Sequence, residues 1–325
     1  MVALVRIINR LEITSTRGSM SVASTPLQTR KPRALDLMLE PYLYVSPTLL
    51  LLALTLFVPV LIGIYYSFIH FIIYEPTNRG FAGLENYAKA FADPIFWLSL
   101  RNTVIWTFSS LLFQISFGLG LALLLVTPFP GQKLYQALVF LPWAVPAFLS
   151  GLTWSWLFNP VIGPLPHWAK ALGLLQNADN ILADPSIALL GPILANIWFG
   201  IPFFAITLLA TLSAIPKEMY EAANIDGGST WQQFRFITLP YIAPTMVITA
   251  LLRTVWIANF SDLIWVMTKG GPADTTQITS SFIFSLANDK LDYGYAAAVS
   301  VILLVLLVIY AVFMLRLRAR FERAM

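Results

Sequence analysis

A short polar stretch between long apolar runs holds the residues best suited to dock onto another protein. Pro216 fits the first turn of a helix, and Gly227 can adopt the positive φ that ends one. Ser229 or Thr230 can then cap a second helix. The spacing predicts a compact helix-turn-helix around Glu221, hung from two apolar segments, and favours a docking element over a membrane span.

A second group of residues has the chemistry of carbohydrate binding. Asn196, Gly200 and Phe203 recur at helical spacing, so an amide, a gap and an aromatic ring share one helix face. Sugar hydroxyls bind amides, and the C–H face of a sugar packs on an aromatic ring. An equally plausible role for Asn196 is a hydrogen bond to a neighbouring helix.

The next apolar run carries an unusual polar load. Arg253 and Asp262 lie nine residues apart, about half a turn out of phase on a straight helix, so each needs a partner elsewhere. Arg253 could contact substrate, a partner subunit or a lipid headgroup. Trp256 and Asn259 fall on adjacent turns of one stripe, and we predict that both line a substrate pathway.

Composition identifies the elements that must position these side chains. Hydrophobic residues form 58% of the 325-residue chain and charged residues 11%, and the mean hydropathy is +0.74. Such values are typical of an integral membrane protein, and the apolar runs approach the roughly 20 residues of a spanning helix. We predict six helical spans: about 42–69, 98–126, 134–158, 186–212, 241–266 and 293–315.

The charges lie mainly at the two ends of the chain. With an even number of spans both ends fall on one side, which the positive-inside rule makes cytoplasmic, together with the loop around Glu221. The net charge of +4 therefore indicates topology and not nucleic-acid binding. The clustered basic residues are Arg6, Arg10, Arg17, Arg30, Lys31 and Arg33 at one end and Arg316, Arg318, Arg320 and Arg323 at the other.

These features divide the chain into three parts. Residues 1–40 form a flexible cytoplasmic tail in which Met20 offers a second start, so residues 1–19 could reflect an upstream start choice. Residues 41–315 form the transmembrane domain, with the polar loop at 213–240, and residues 316–325 form a basic tail. The chain has no cysteine and two isolated histidines, which predicts no metal site.

The polar loop resembles the EAA loop of membrane subunits in binding-protein-dependent ABC importers. Every fixed position of that signature is filled. The matching residues are Glu221, Ala222, Ala223, Gly227, Ile237, Leu239 and Pro240. The resemblance implies a coupling helix that sits in a groove of an ATP-hydrolysing subunit, with Glu221 in contact and Asp226 beside it.

Two further segments resemble sugar-type members of that family. One reads F-x-G-L-x-N-Y from Phe81, then D-x-x-F and N-T, and the other reads T-x-G-G-P from Thr268. Asn196 and Gly200 match residues of the membrane sugar site in maltose-type permeases, whereas Phe203 replaces a tyrosine. The resemblance implies the type I importer permease fold, an all-α bundle of six spans with both termini cytoplasmic.

Proline and small residues mark two of the predicted spans. Pro142 and Pro146 should kink the third span and make it a candidate wall of the translocation path. In the last span, Gly294 and the residues after it give a small face for close helix contact.

The function that follows is the permease subunit of an ATP-driven importer for an oligosaccharide, disaccharide or polyol. The chain lacks a phosphate-binding loop, so it should hold no cofactor or catalytic residue, and ATP and Mg should bind to partner subunits. The resemblance implies a second related permease, two cytoplasmic ATP-binding subunits and an extracytoplasmic solute-binding protein, in the cytoplasmic membrane of a bacterium or archaeon.

Two other functions remain open at this stage. Glycerol phosphate or another small polar solute could be carried by the same kind of permease. An ion-coupled secondary transporter needs intramembrane acids and related halves, and Asp262 is the one acid well inside a predicted span. The sequence leaves open which carbohydrate is carried and whether the two permeases are identical.

Overall fold

The computed structural model describes residues 34–173 and 178–323, so residues 1–33, with the alternative start, lie outside it. It divides into two compact units, Met1–Phe57 and Val58–Met325. The described part of the first unit is helix α1 (Ala34–Leu52) followed by one π-helical turn. Residues 34–40, the predicted end of a flexible tail, are thus helical.

The second unit is built from helices joined by turns. In its described residues, β-type pairing is limited to two isolated bridges, Ile69 with Phe81 and Ile72 with Asp292. The helices are, in chain order, α2 (Val58–Ser67), α3 (Glu85–Ala92), α4 (Pro94–Val126), α5 (Gln132–Ala144), α6 (Ala147–Leu157), α7 (Pro164–Ala171), α8 (Leu190–Ser213), α9 (Lys217–Ile225), α10 (Thr230–Gln233), α11 (Leu239–Ala258), α12 (Asp262–Met267), α13 (Thr279–Asn288) and α14 (Tyr293–Arg323).

Five helical stretches of the described chain are long and apolar enough to cross a membrane, and a bent pair of helices brings the number to six. The all-α fold and the order of the six spans agree with the prediction. The stretches are Tyr42–Ser67, Pro94–Val126, Leu190–Ser213, Thr230–Met267 and Tyr293–Arg320, and the bent pair is α5 with α6.

The third span differs from the single kinked helix predicted over 134–158. It consists of α5 and α6, which meet at an angle of 95°. Pro142 lies inside α5, whereas Val145 is extended (φ −79°, ψ 128°) directly before Pro146. The extended conformation of Val145 is the one favoured for a residue before proline, and the break falls there although the helix continues through Pro142.

The fifth span also departs from its predicted bounds of 241–266. Helix α11 ends at Ala258, Asn259 is its C-cap, and Asp262 begins the separate helix α12. Asp262 is therefore exposed and outside the long helix. At its other end, α11 continues without a gap into α10 through a π-helical turn, Phe234–Thr238.

Helices α4, α8 and α11 form the centre of the second unit. Trp106 on α4 is fully buried and donates a hydrogen bond from Nε1 to the carbonyl oxygen of Ile257, at 2.9 Å. Gly118 faces α8 so closely that a Cβ there would overlap Phe204. This close packing brings Gln114 of α4, Asn196 of α8 and Arg253 of α11 within hydrogen-bonding distance of one another.

The motif asparagines before and within α4 tie loops to the bundle. Asn86 donates from Nδ2 to the carbonyl oxygens of Ser67 and Ile69, at 3.0 and 2.9 Å. Asn102 donates likewise to Thr275 and Gln277, at 2.8 and 2.9 Å. The N-T motif thus holds the turn that follows the T-x-G-G-P motif, a contact across about 170 residues of sequence.

The start of α14 is fixed in the same region. A Cβ on Gly294 would overlap the carbonyl oxygen of Ile69, which explains a small residue there. Lys89 forms an ion pair with Asp292 at 2.6 Å. Tyr295 donates from Oη to Asp93 Oδ2 at 2.9 Å.

Candidate functional site

The coupling loop, residues 213–240, has the predicted helix-turn-helix form. Gly227 has φ +76° and follows the end of α9. The amide of Gly228 donates to the carbonyl oxygen of Ala223 at 2.8 Å. Ser229 caps α10 through a reciprocal pair of hydrogen bonds with Gln232, at 3.3 and 2.7 Å. Because α10 continues into α11, the second helix is part of the fifth span and not a separate element.

Side-chain contacts fasten the two arms of the loop to each other. Tyr220 Oη and Thr238 Oγ1 lie 2.8 Å apart. Gln233 donates from Nε2 to Asn224 Oδ1, at 2.6 Å, and to the carbonyl oxygen of Gly228, at 3.1 Å. These bonds link α9 to α10 and to the base of α11.

The outer face of the loop is exposed and partly apolar. None of the side chains of α9 is buried, and Glu221, Ala222, Asp226, Gly227, Leu239 and Pro240 are exposed, while Ala223 is half-buried. Ile225 is 87% exposed and Trp231 66%. Large apolar side chains in such a polar loop indicate a protein-binding surface. The sequence reasoning missed Ile225 and Trp231, although apolar residues within a polar stretch were a visible signal.

A buried polar cluster lies between α4, α8 and α11 and consists of Gln114, Asn196 and Arg253. Arg253, only 3% exposed, donates from Nε to Gln114 Oε1 at 2.8 Å and from Nη2 to Asn196 Oδ1 at 3.4 Å. Gln114 donates from Nε2 to the carbonyl oxygen of Asn196 at 2.8 Å. Asn196 thus forms hydrogen bonds to two neighbouring helices, which is the alternative role considered for it from the sequence.

Gly200 makes room for this cluster. A Cβ at position 200 would overlap the side-chain amide of Gln114. The glycine therefore allows α4 to place an amide against α8. Sequence reasoning missed Gln114, whose signal was a lone amide within the apolar run that starts at Leu111.

Aromatic rings surround the cluster in two pairs that join α8 to the fifth span. The rings of Phe203 and Trp256 have centroids 5.3 Å apart, and those of Phe199 and Phe260 are stacked at 5.4 Å. The guanidinium carbon of Arg253 lies 5.9 Å from the Phe199 ring centroid. Trp256 is exposed, and Phe199 and Phe260 are half-buried, so the cation lies one side chain below the surface.

The structure therefore brings together four of the five predicted pathway residues and separates the fifth. Asn196 bonds to Arg253, Gly200 lies against Gln114, and Phe203 packs on Trp256. Asn259 donates from Nδ2 to the carbonyl oxygen of Val255 at 2.8 Å and lines a different space, a cavity of about 570 Å³ against α13 and α14.

Two titratable groups in loops outside the cluster have side-chain partners. His70 Nε2 is 2.9 Å from Glu85 Oε2. Hydrogen bonds from Ser186 lower the pKa of the exposed Asp184 below its ordinary value. Among the described residues, no group of three His, Asp or Glu side chains could hold a metal ion.

Comparisons with known proteins agree with this arrangement. Residues 114–323 match the family described as "Binding-protein-dependent transport system inner membrane component". The match covers most of the chain and includes both the coupling loop and the buried polar cluster. The chain therefore belongs to this family of ABC importer permeases, which argues against the ion-coupled alternative.

Individual relatives extend the similarity over most of the chain. It is 34% identical to the trehalose/maltose transport system permease protein MalF of Thermococcus litoralis over 87% of this chain and 94% of that protein. It is also 34% identical to the sulfoquinovosyl glycerol transport system permease protein SmoG of Agrobacterium fabrum, over 81% and 85%.

A solved structure supports the fold. A chain of a bacterial ABC transporter involved in the import of alginate superposes with a TM-score of 0.73 at 24% identity, over 88% of this chain and 96% of the other. At this identity the likeness concerns the fold alone.

Proposed function

We propose that the chain is the membrane-spanning subunit of an ATP-driven importer that moves a carbohydrate delivered by an extracytoplasmic binding protein. The observation that carries this proposal is the exposed face of α9, where Glu221 lies among apolar side chains such as Ile225. An apolar surface that is exposed in the isolated chain would be buried when an ATP-hydrolysing subunit binds to it.

The carbohydrate class rests on the relatives and on the aromatic pairs. The relatives named above carry trehalose and maltose in one case and sulfoquinovosyl glycerol in the other, according to their names. Phe203 and Trp256 offer ring faces on which the C–H surface of a pyranose can pack. Disaccharides, longer oligosaccharides and polyols fit this description, and so does a sugar or glycerol phosphate.

The assembly and topology proposed here follow the sequence prediction. A second related permease completes the pathway, and two cytoplasmic subunits bind ATP and Mg and hydrolyse the nucleotide. This chain contributes no ATPase residue. Both termini and the coupling loop face the cytoplasm, in the cytoplasmic membrane of a bacterium or archaeon.

Movement of the coupling loop would drive alternating access. Closure of the ATP-binding subunits displaces α9, and the bond between Tyr220 and Thr238 passes the displacement to the base of α11. Cargo can bias this equilibrium only if it binds the inward and outward states with different affinity.

The proposal is tested by co-purification with the ATP-binding subunits and by uptake of labelled carbohydrate. Glu221→Lys should abolish both, because it reverses the charge in the centre of the docking face, while the two permeases still co-purify. Glu75→Lys makes the same change at an exposed loop position far from α9 in the sequence and should retain the ATP-binding subunits. Full uptake by Glu221→Lys would overturn the proposed coupling role.

A further inference from the structure

Arg253 carries a permanent positive charge that the described part of this chain does not neutralise. Its side-chain partners are the neutral amides of Gln114 and Asn196. The two ion pairs found among the described residues involve His70 and Lys89. A guanidinium keeps its proton at any physiological pH, and a buried charge without a counter-charge is costly. No carboxylate among the described residues pairs with Arg253, so a bound negative group would lower this cost.

Hydrogen-bond donors around the cation point to the same kind of ligand. Within the described residues, Asn196 Nδ2 is buried and has no hydrogen-bond partner. The contacts of Arg253 with the two amides use Nε and Nη2. A guanidinium presents five donors in a planar fork that suits carboxylate, phosphate and sulfonate oxygens. The free amide and the fork together form a donor set for an anionic group.

From these contacts we propose that Arg253 and Asn196 bind an acidic substituent of the carbohydrate cargo, such as a carboxylate, phosphate or sulfonate. This inference rests on the proposed function and narrows its substrate class. The ligand would enter past the half-buried Phe199 ring, which lies against the guanidinium.

The aromatic pairs favour a sugar acid over the other sources of negative charge. Phe199 with Phe260 and Phe203 with Trp256 bridge α8 and the fifth span beside the cation, and such rings pack against pyranose faces. A lipid headgroup is disfavoured by access, because the Arg253 side chain is 3% exposed and is turned inward between the helices. A carboxylate of the second permease is the competing source.

The test uses the complete importer in nanodiscs with its binding protein. Glucose- and galactose-based mono- and disaccharides are supplied as matched sets, each neutral sugar beside its uronic acid, 6-phosphate and 6-sulfonate. Stimulation of ATP hydrolysis is measured against sugar concentration. We expect one acidic member to stimulate at a concentration roughly 30-fold or more below that of its neutral twin, the range typical of a buried charge pair.

Binding of the same sugars is then measured on the importer without its binding protein. This shows whether the preference for an acidic sugar belongs to the membrane subunits or to the binding protein. Arg253→Gln should remove the preference for the acidic sugar by removing the cation. Asn196→Asp should remove it by another route, since it replaces an unpartnered donor with a carboxylate oxygen that neutralises Arg253 internally. Asn159→Asp makes the same exchange in a loop outside the cluster and should keep the preference.

Each other outcome decides against one of the proposals. If no carbohydrate stimulates ATP hydrolysis, the proposed function itself fails. If neutral sugars alone stimulate it, or if Arg253→Gln keeps the preference for an acidic sugar, the proposed function stands and the acidic subsite is wrong. If Arg253→Gln loses the second permease on purification while Asn196→Asp keeps it, the counter-charge belongs to that permease, and the subsite is likewise overturned.

Discussion

The coupling loop and the buried polar cluster are built in opposite ways. The loop is fastened by bonds between residues no more than 27 positions apart, such as Tyr220 with Thr238. The cluster joins Arg253 to Gln114 across 139 positions. The loop exposes apolar side chains at its surface, whereas the cluster places a charge in the interior. A surface that binds a partner can be encoded locally, but an interior site needs three helices to meet.

The side chains of the two regions also lose their contact with water at different stages. Exposed Ile225 and Trp231 lose water only when a partner covers them, so the loop is completed by binding. The cluster is already buried within this chain, and the described residues give its cation no counter-charge. Variants of the loop should therefore affect assembly, and variants of the cluster should affect stability or cargo.

The largest effect is expected at the turn of the loop. Gly227→Pro should abolish uptake, because proline fixes φ near −65° and cannot adopt the φ of +76° found there. Uptake of labelled carbohydrate by membrane vesicles measures the loss. Gly173, at φ +68°, also donates its amide to a carbonyl three residues earlier, so Gly173→Pro is a matched control in another loop and should leave the ATP-binding subunits attached. Normal uptake by Gly227→Pro would contradict a coupling role for this turn.

A loss of stability should follow a change in the interior. Gly200→Ala places a methyl group against the Gln114 amide and should destabilise the permease by about 1–3 kcal/mol, the usual cost of overpacking. Thermal unfolding of the purified complex measures this. A Cβ on Gly120 meets nothing within 4 Å, so Gly120→Ala should be neutral. Equal stability of the two variants would contradict the conclusion that Gly200 is needed to make room for the Gln114 amide.

A moderate effect is expected on the outer face of the loop. Ile225→Ser should weaken attachment of the ATP-binding subunits by about 1–2 kcal/mol, a common value for an apolar anchor in an interface, without lowering the unfolding temperature. Titration of those subunits onto permeases in nanodiscs gives the affinity. Val161→Ser changes a side chain that is 78% exposed in a different loop and should have no effect. Unchanged affinity for Ile225→Ser would place the docking surface elsewhere.

The smallest effect concerns the cap of α10. Ser229→Ala removes one of the two reciprocal bonds with Gln232 and should cost about 1 kcal/mol of local helix stability. Hydrogen exchange of the amides at 230–233 should quicken, while α8 remains protected. Protection equal to the unmodified protein would mean that the continuous helix, and not the cap, fixes this end.

Much of the fold and the helix-turn-helix form of the loop could be predicted from sequence because their signals are local, whereas the exposed apolar side chains of Ile225 and Trp231 were missed. Apolar runs reveal spans, and Gly227 with Ser229 reveals a turn and a cap. The break at Val145 was harder because an apolar run continues through it, and the break at Asn259 because its few polar residues are flanked by apolar runs on both sides. The partners of Arg253 could not be derived. The spacing of Arg253 and Asp262 shows that they do not pair with each other, but it does not identify the amides on other helices that contact Arg253. The same limit separates Trp256 from Asn259, which face different neighbours although their spacing suggested one stripe.

The uninterrupted helix from Thr230 to Ala258 has a mechanical consequence. Its 29 residues span about 43 Å with the docking loop at one end and Trp256 near the other. If this helix moves as one body, a tilt of about 10° about one end displaces the opposite end by roughly 7 Å. Under the proposed coupling, a small tilt imposed at the docking loop would therefore move the Trp256 end of the helix far enough to change which side of the bilayer a sugar can reach.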